Sequence, residues 1–503
     1  MELPAMIWLI GLLLVASPAV YLLGRLSRRR PFYRPSVARW GALAVLAVSW
    51  TPFILSLQSF TREGIVTFTL GTISLRVDGL SLLLAAVVLA LTTVVALFSS
   101  PYMAGEAGES KYYAMLIAMS GVMIGLGCAG DLFNLWLWFD AMAVTSYLLV
   151  AFYRDQAASL EAGVKYLVQS ATGSALVLLG IALTLSQTGV LDLAGIHQAA
   201  AEMQGRSFLI AAGALFIVGF GVKIAMVPLH TWLPDAHAQA PSGISAMLSG
   251  VVIESGLIAL LRVLAALAGV TTFWGVLLMV FGALNMVAGN LLALRQSQVK
   301  RLLAYSSITH VGYMLVGIGI AVYSGEMAGA QGGLFHLLSH GLMKGLAFLA
   351  AGALLYALHT ALGDHSPLTV GDLAGAARRY PLPALAFSIA VLSLGGIPPL
   401  VGFMSKWQIL LAGFATHELW IDGLVGFAAL NSVFSLAYYA PLVSALYRTQ
   451  PSMAVQHGVR VPALMHAPLA LMALAIIVAG MWPALVEGLT EPAGAALLAA
   501  VGG

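Results

Sequence analysis

Apolar residues run along this chain in blocks of about twenty, separated by short polar stretches. A block of roughly that length spans the hydrocarbon core of a bilayer as one helix. Closed barrels are the other way across a membrane, and they need ten-residue segments alternating between polar and apolar. No such alternation recurs here. The pattern therefore predicts an all-α polytopic membrane protein with about fourteen spans, at roughly 3–24, 37–57, 77–100, 112–129, 131–152, 163–187, 207–230, 243–267, 271–293, 301–322, 329–357, 382–412, 420–447 and 465–487. The longest loops fall near 58–75, 188–206, 358–381 and 448–464, too short for a soluble lobe, so residues 1–503 read as a single membrane domain.

Composition agrees with the pattern. Of 503 residues, 60% are hydrophobic and 9% charged, where a soluble chain carries about a quarter charged. Net charge is +3, with no basic tract beyond the first loop, so nucleic acid is not an expected partner. The one cysteine, Cys128, can neither close an intrachain disulfide nor supply a cysteine-ligated iron–sulfur cluster. The first apolar block has Glu2 and no basic residue before it, and its arginines follow it. That order predicts a retained helix rather than a cleaved signal.

The remaining arginines predict the topology. Arg25, Arg28, Arg29, Arg30, Arg34 and Arg39, then Arg154, then Arg295, Lys300 and Arg301, then Arg378 and Arg379, then Arg448 and Arg460 fall on alternate connections, while the others carry chiefly Arg62, Arg76 and Arg206. Positive loops stay in the cytoplasm. Both termini are therefore expected on the non-cytoplasmic side of a cell membrane.

Two spans are interrupted. KIAMVPLHTWLPDAHAQAPSG, 223–243, breaks at Pro228, and SLGGIPPLVGFMSKW, 393–407, carries Pro398 and Pro399 beside two glycines. Proline removes a backbone donor, and lipid supplies no substitute, so a broken helix must line protein or a wet cavity. Paired interruptions in two halves of a transporter point to inverted repeats around an ion path. Each break also has a lysine, Lys223 before the first and Lys406 after the second.

Asp140, Lys223, Glu254, Lys344 and Lys406 all fall inside predicted spans. A charge at a helix centre costs roughly 2.5–3.5 kcal/mol on insertion scales. Pairing relieves part of this, either as structural ion pairs such as Asp140 with Lys223 or as a proton path. A buried lysine becomes a switchable proton carrier when a carboxylate can approach and withdraw, and Asp140 is the natural modulator of Lys223. His336, His340 and Lys344 recur every four residues on one helix face, and histidine passes a proton either way. The same spacing suits haem or metal ligation, but no matching second pair stands on a neighbouring span, so no metal is expected. Histidines that merely satisfy hydrogen bonds at a helix interface are the bland alternative. His230, Asp235 and His237 lie at or beyond the first break and read either as an entrance to the path or as caps for exposed backbone.

These residues sit in recognisable strings: RVDGLS at 76–81, LWLWFDAMAVTSYLL, VKIAMVPLHTWLPDAHAQAPSGISAMLSG, VKRLLAYSSITHVGYML, FHLLSHGLMKGLAFLAAG and GFMSKW at 402–407. With them the chain resembles the antiporter-like membrane subunits of respiratory complex I (NADH:quinone oxidoreductase), membrane-bound hydrogenases and Mrp-type cation/proton antiporters. The resemblance implies two inverted five-helix repeats, with 1–110 as N-terminal helices, 111–268 and 269–448 as the repeats, and 449–503 as a C-terminal helix and tail. It implies a relay through Asp140, Lys223, Glu254, His336, His340, Lys344 and Lys406. Asp140 stands where the family usually has glutamate, and Glu254 where many relatives have lysine. Expected partners are other membrane subunits, including homologous antiporter-like ones, redox subunits of a peripheral arm, and the bilayer. No cofactor is expected in this chain. Its end soon after the last span suggests a shorter inner subunit. Three functions stay open at this point: a redox-driven proton-translocating subunit, a cation/proton antiporter subunit, and a non-conducting structural subunit.

Overall fold

The computed structural model describes residues 4–27, 37–71, 73–202, 207–271, 273–364 and 366–502. Glu2, Arg28, Arg29, Arg30, Arg34 and Arg206, used above to orient the chain, lie outside them. The described residues form one helical array. In chain order it begins with α1 (Ala5–Ser27) and α2 (Val37–Glu63), followed by a hairpin of β1 (Val66–Leu70) and β2 (Ile73–Val77). Next come α3 (Gly79–Tyr102), α4 (Glu109–Gly127), α5 (Leu132–Val150), α6 (Ala157–Thr188), α7 (Leu193–Glu202), α8 (Ser207–Ile224) and α9 (Trp232–Gln239). α10 (Ser242–Met247) continues through a π-helical turn, Leu248–Val252, into α11 (Ile253–Ala266). The second half holds α12 (Phe273–Ala293), α13 (Val299–Ser324), α14 (Met327–Leu358), the short α15 (Ala376–Arg379), α16 (Pro381–Gly395), α17 (Val401–Phe414) and α18 (Leu419–Leu446). α19 (Met453–His457), α20 (Ala463–Met481) and α21 (Ala484–Gly502) close the chain.

Twelve helices among the described residues are long and apolar enough to cross a membrane, counting α10–α11 as one. The remaining two of the about fourteen expected spans correspond to shorter or interrupted helices that this count leaves out. The span expected at 112–129 corresponds to α4, whose first turn carries Glu109 and Lys111, and the one at 382–412 is split by Gly-Gly-Ile-Pro-Pro into α16 and α17. Three segments expected as loop or tail are ordered. Residues 66–70 pair with 73–77 as an antiparallel hairpin, with Val66 opposite Val77 and Leu70 opposite Ile73. The stretch 188–206 contains α7, and the tail folds as α21 against α3, α11 and α14.

The core is built from α3, α10–α11, α13 and α14, whose faces are largely or wholly buried. Close backbone approach substitutes for large side chains between α12 and α13. A Cβ built on Gly282 would sit 2.8 Å from the Gly312 carbonyl oxygen, and one on Gly319 would sit 2.8 Å from that of Gly275. Gly173 of α6 and Gly219 of α8 meet in the same way. In lipid, where helices gain little from apolar burial, small-residue seams of this kind let van der Waals packing hold a pair together.

Both breaks have substitute partners for their freed backbone groups. α8 stops at Ile224, and Ala225 turns the chain with φ 58°. Asn285 of α12 then accepts from the Val227 amide at 2.8 Å and donates to the Ala225 carbonyl at 3.4 Å, while the Trp232 indole donates to the Val222 carbonyl at 2.7 Å. At the second break Gly396 takes φ 82°, the Gly402 amide donates to Ser393 Oγ at 3.1 Å, and Ser432 Oγ donates to the Gly395 carbonyl at 3.2 Å. Pro228 lies between α8 and α9, and Pro398 and Pro399 lie between α16 and α17.

Candidate functional site

The charges predicted within spans fall into three stations along the array. The first is built by α5, α6 and α8 against α9. Lys223, on the last turn of α8, is 1% exposed. Of the two arrangements open to it from the sequence, a direct ion pair with Asp140 is not the one formed. Its ammonium donates to Tyr166 Oη at 2.8 Å and lies 4.5 Å from the centre of that ring. Tyr166 is in turn stacked on Trp232, with ring centroids 3.9 Å apart. Asp140, half-buried on α5, accepts from Ser174 Oγ of α6 at 2.9 Å, and the Trp136 indole donates to that same hydroxyl at 2.9 Å. Asp140 and Lys223 are thus each held by a hydroxyl of α6, Ser174 and Tyr166 respectively.

The second station is a carboxylate–imidazole pair. Glu254, just after the π-helical turn, places Oε1 2.9 Å from His340 Nδ1, and both side chains are fully buried. Its partner is thus an imidazole rather than either of the lysines Lys223 and Lys344. Glu254 Oε2 and His340 Nε2 each have no hydrogen-bond partner. The π-helical turn widens the helix one turn before Glu254, an irregularity often found at functional positions.

The third station is a connected path. Lys344 Nζ donates to the Leu303 carbonyl at 2.8 Å and to Ser306 Oγ at 2.5 Å. Ser306 bonds to Tyr439 of α18, whose hydroxyl is 3.4 Å from His310 Nε2. His310 Nδ1 lies 3.0 Å from His336 Nε2, and His336 Nδ1 lies 2.9 Å from Ser405 Oγ. The next residue, Lys406, donates to the Leu394 carbonyl freed by the second break and to Ser432 Oγ, both at 2.8 Å. It sits 4.7 Å from the Tyr313 ring centre. The single face shared by His336, His340 and Lys344 therefore serves three neighbours: His336 meets α13 and α17, His340 meets α11, and Lys344 meets α13.

The three residues beyond the first break separate. Asp235 is held at the surface by Arg301 at 2.6 Å and Lys165 at 3.0 Å, tying α9 to α13 and α6. His230 is half-buried, with Nδ1 lacking a partner. His237 is fully buried and stacked on Phe348, with neither ring nitrogen bonded. Among the described residues no group of three or more His, Cys, Asp or Glu is gathered as a metal ion would need.

Sequence reasoning missed His310, Tyr166, Tyr439, Ser174 and Ser306. Only His310 had a signal, since it lies in the string VKRLLAYSSITHVGYML. A lone histidine has no periodic companion on its own helix to draw attention to it.

Bundled apolar helices, two of them broken beside lysines and enclosing buried acids, bases and hydroxyls, define a polytopic membrane subunit with a polar interior. A family profile described as NADH:quinone oxidoreductase/Mrp antiporter, TM, matches residues 129–434, and one described as NADH-Ubiquinone oxidoreductase (complex I), chain 5 N-terminus, matches 68–113. F(420)H(2) dehydrogenase subunit N of Methanosarcina mazei is 31% identical over 456 residues, covering 89% of each chain. A chain of respiratory complex I from Thermus thermophilus superposes with a TM-score of 0.76 at 28% identity, over 95% of this chain and 98% of that one. A chain of the Mrp complex from Dietzia sp. shares the fold, with a TM-score of 0.86 at 22% identity over the full length of both. The chain belongs to the antiporter-like membrane subunits of the NADH:quinone oxidoreductase/Mrp antiporter family.

Proposed function

We propose that this chain moves protons through the relay Asp140, Lys223, Glu254, His340, Lys344, His336 and Lys406, as a membrane subunit of a redox-driven complex of the complex I or hydrogenase type. The observation that carries this reading is the hydrogen-bonded run from Lys344 through Ser306, Tyr439, His310 and His336 to Ser405. Every member of that run can both give and take a proton or sits beside one that can, and it lies in the buried interior rather than at a surface. Lys223, held by Tyr166 at the first break, is the loading group of the first half, with Asp140 of α5 as its modulating carboxylate. Glu254 and His340 join the halves and exchange one proton within a pair. Pro228 and Pro398–Pro399 break the two helices beside the lysines, and at the second break Lys406 reaches the freed Leu394 carbonyl. In this reading residues 111–268 and 269–448 are inverted repeats, the termini are non-cytoplasmic, and His230 and His237 form the intake. Electron-transfer cofactors reside on partner subunits, and neighbouring antiporter-like subunits extend the path sideways.

The redox-driven form is favoured over an Mrp-type antiporter because the similarity at 31% identity over 89% of both chains is to a dehydrogenase subunit, whereas the Mrp likeness is one of fold. The test is Lys223→Ala in the native complex reconstituted into vesicles. Proton uptake driven by the redox reaction is expected to fall while the complex stays assembled. Unchanged uptake would leave the chain a structural subunit, and uptake driven by a sodium gradient without electron transfer would make it an antiporter.

A further inference from the structure

A second polar site lies away from the relay, where the β1–β2 hairpin enters α3. A cavity of about 200 Å³ opens there between the start of α3, the first turn of α7, the end of α11 and the last turns of α21. Its polar lining is Arg76, Asp78, His197 and Arg262, and its walls are apolar, with Leu80, Leu261 and Leu497 among them. Arg262 grips Asp78 with both terminal nitrogens, at 3.1 and 2.9 Å, and is further bound to the Gly127 carbonyl. Arg76 Nε reaches the same carboxylate at 3.1 Å, without hydrogen-bond alignment. One carboxylate thus faces two guanidiniums, and Arg76 keeps donors for another acceptor. Asp78 caps the first turn of a membrane-spanning helix, and Arg262 lies in the last turns of another. That places the cavity at the boundary of the apolar slab, where lipid headgroups lie. The wall contributed by α21 is apolar, and a guanidinium fork matches phosphate oxygens in geometry.

We propose that this cavity binds a phosphate group, with Arg76 as the principal donor and Arg262, fixed by Asp78, as the second. Two sources carry that chemistry, an anionic phospholipid headgroup whose tails run along α21, or free phosphate. The site does not depend on whether the relay conducts.

The experiment is native mass spectrometry of the purified full-length chain, titrated separately with phosphatidylglycerol, with diacylglycerol and with inorganic phosphate. Retention of phosphatidylglycerol over diacylglycerol is expected, weakened about tenfold in Arg76→Gln through loss of a charge-assisted bond. Binding of phosphatidylglycerol but not inorganic phosphate assigns the site to a lipid headgroup, and equal binding of both assigns it to free phosphate. Ala496→Phe, which fills the cavity and leaves all three charged groups in place, should also abolish retention, so the test survives if Arg76→Gln fails to fold. No preference for either phosphate compound over diacylglycerol, or full retention in Ala496→Phe, overturns the proposal.

Discussion

His310 is the residue through which the third station is continuous. It faces Tyr439 on one ring nitrogen and His336 on the other, so removing it leaves Lys344 and Ser405 without a bonded route between them. His310→Phe keeps the ring's bulk and loses both nitrogens. Proton translocation in reconstituted vesicles should drop on the order of tenfold or more, the scale of losing one positioned proton-transfer group. Unaltered translocation would show that protons bypass this run. Glu254 allows a sharper separation of charge from shape. Glu254→Gln keeps an oxygen for His340 Nδ1 and is nearly isosteric, so assembly and thermal stability should hold while translocation is lost. Loss of assembly together with translocation would mark the pair as structural. At this scale the sequence was legible where chemistry repeated on one helix, as with His336, His340 and Lys344. It was silent where a partner came from a distant helix. Tyr166, Ser174 and Tyr439 are ordinary residues in oily segments, and only packing makes them ligands of a lysine, an aspartate and a serine. The same holds for Asp140 and Lys223, which are bonded to Ser174 and Tyr166 of α6 rather than to each other.

Both helix breaks could be read from proline and glycine alone, since backbone rules act locally. What repairs them could not. Asn285, on α12, sits 58 residues from Val227 and bonds across the first break. Replacing it with leucine would strand the Val227 amide in a part-buried site. An unsatisfied buried group costs about 1–3 kcal/mol, so Asn285→Leu should lower the midpoint of thermal unfolding in detergent and loosen the seat of Lys223. A midpoint equal to that of the parent chain would mean that water replaces the side chain without penalty. The hairpin was missed although VTFTL and ISLRV alternate with period two around a glycine, a recognised hairpin signal. Its brevity hid it between two long apolar blocks. The tail helix α21 was missed because Pro492 lies in its middle, where the usual rule expects a helix to end.

At the scale of the molecule, the orientation of the array fixes which end of the relay meets the cytoplasm, and it rests on the distribution of arginines. Arg154, Arg295, Arg301, Arg378, Arg379, Arg448 and Arg460 all lie on connections of one parity, and those connections follow α5, α12, α14 and α18 or precede α20. The β1–β2 hairpin lies on the opposite parity, between α2 and α3. Positive loops remain on the cytoplasmic side because moving them across the membrane during insertion is disfavoured. The hairpin should therefore face outward and the α18–α20 connection inward. The chain is well suited to a direct check, because its one cysteine, Cys128, is buried and should stay silent to a membrane-impermeant maleimide. Thr67 on β1 and Gln450 beyond α18 are both exposed. In intact cells Thr67→Cys should label from outside, whereas Gln450→Cys should label only after permeabilisation. The opposite result would invert the array, moving Lys223 and the first break to the outer side and turning the intake proposed at His230 and His237 into an exit.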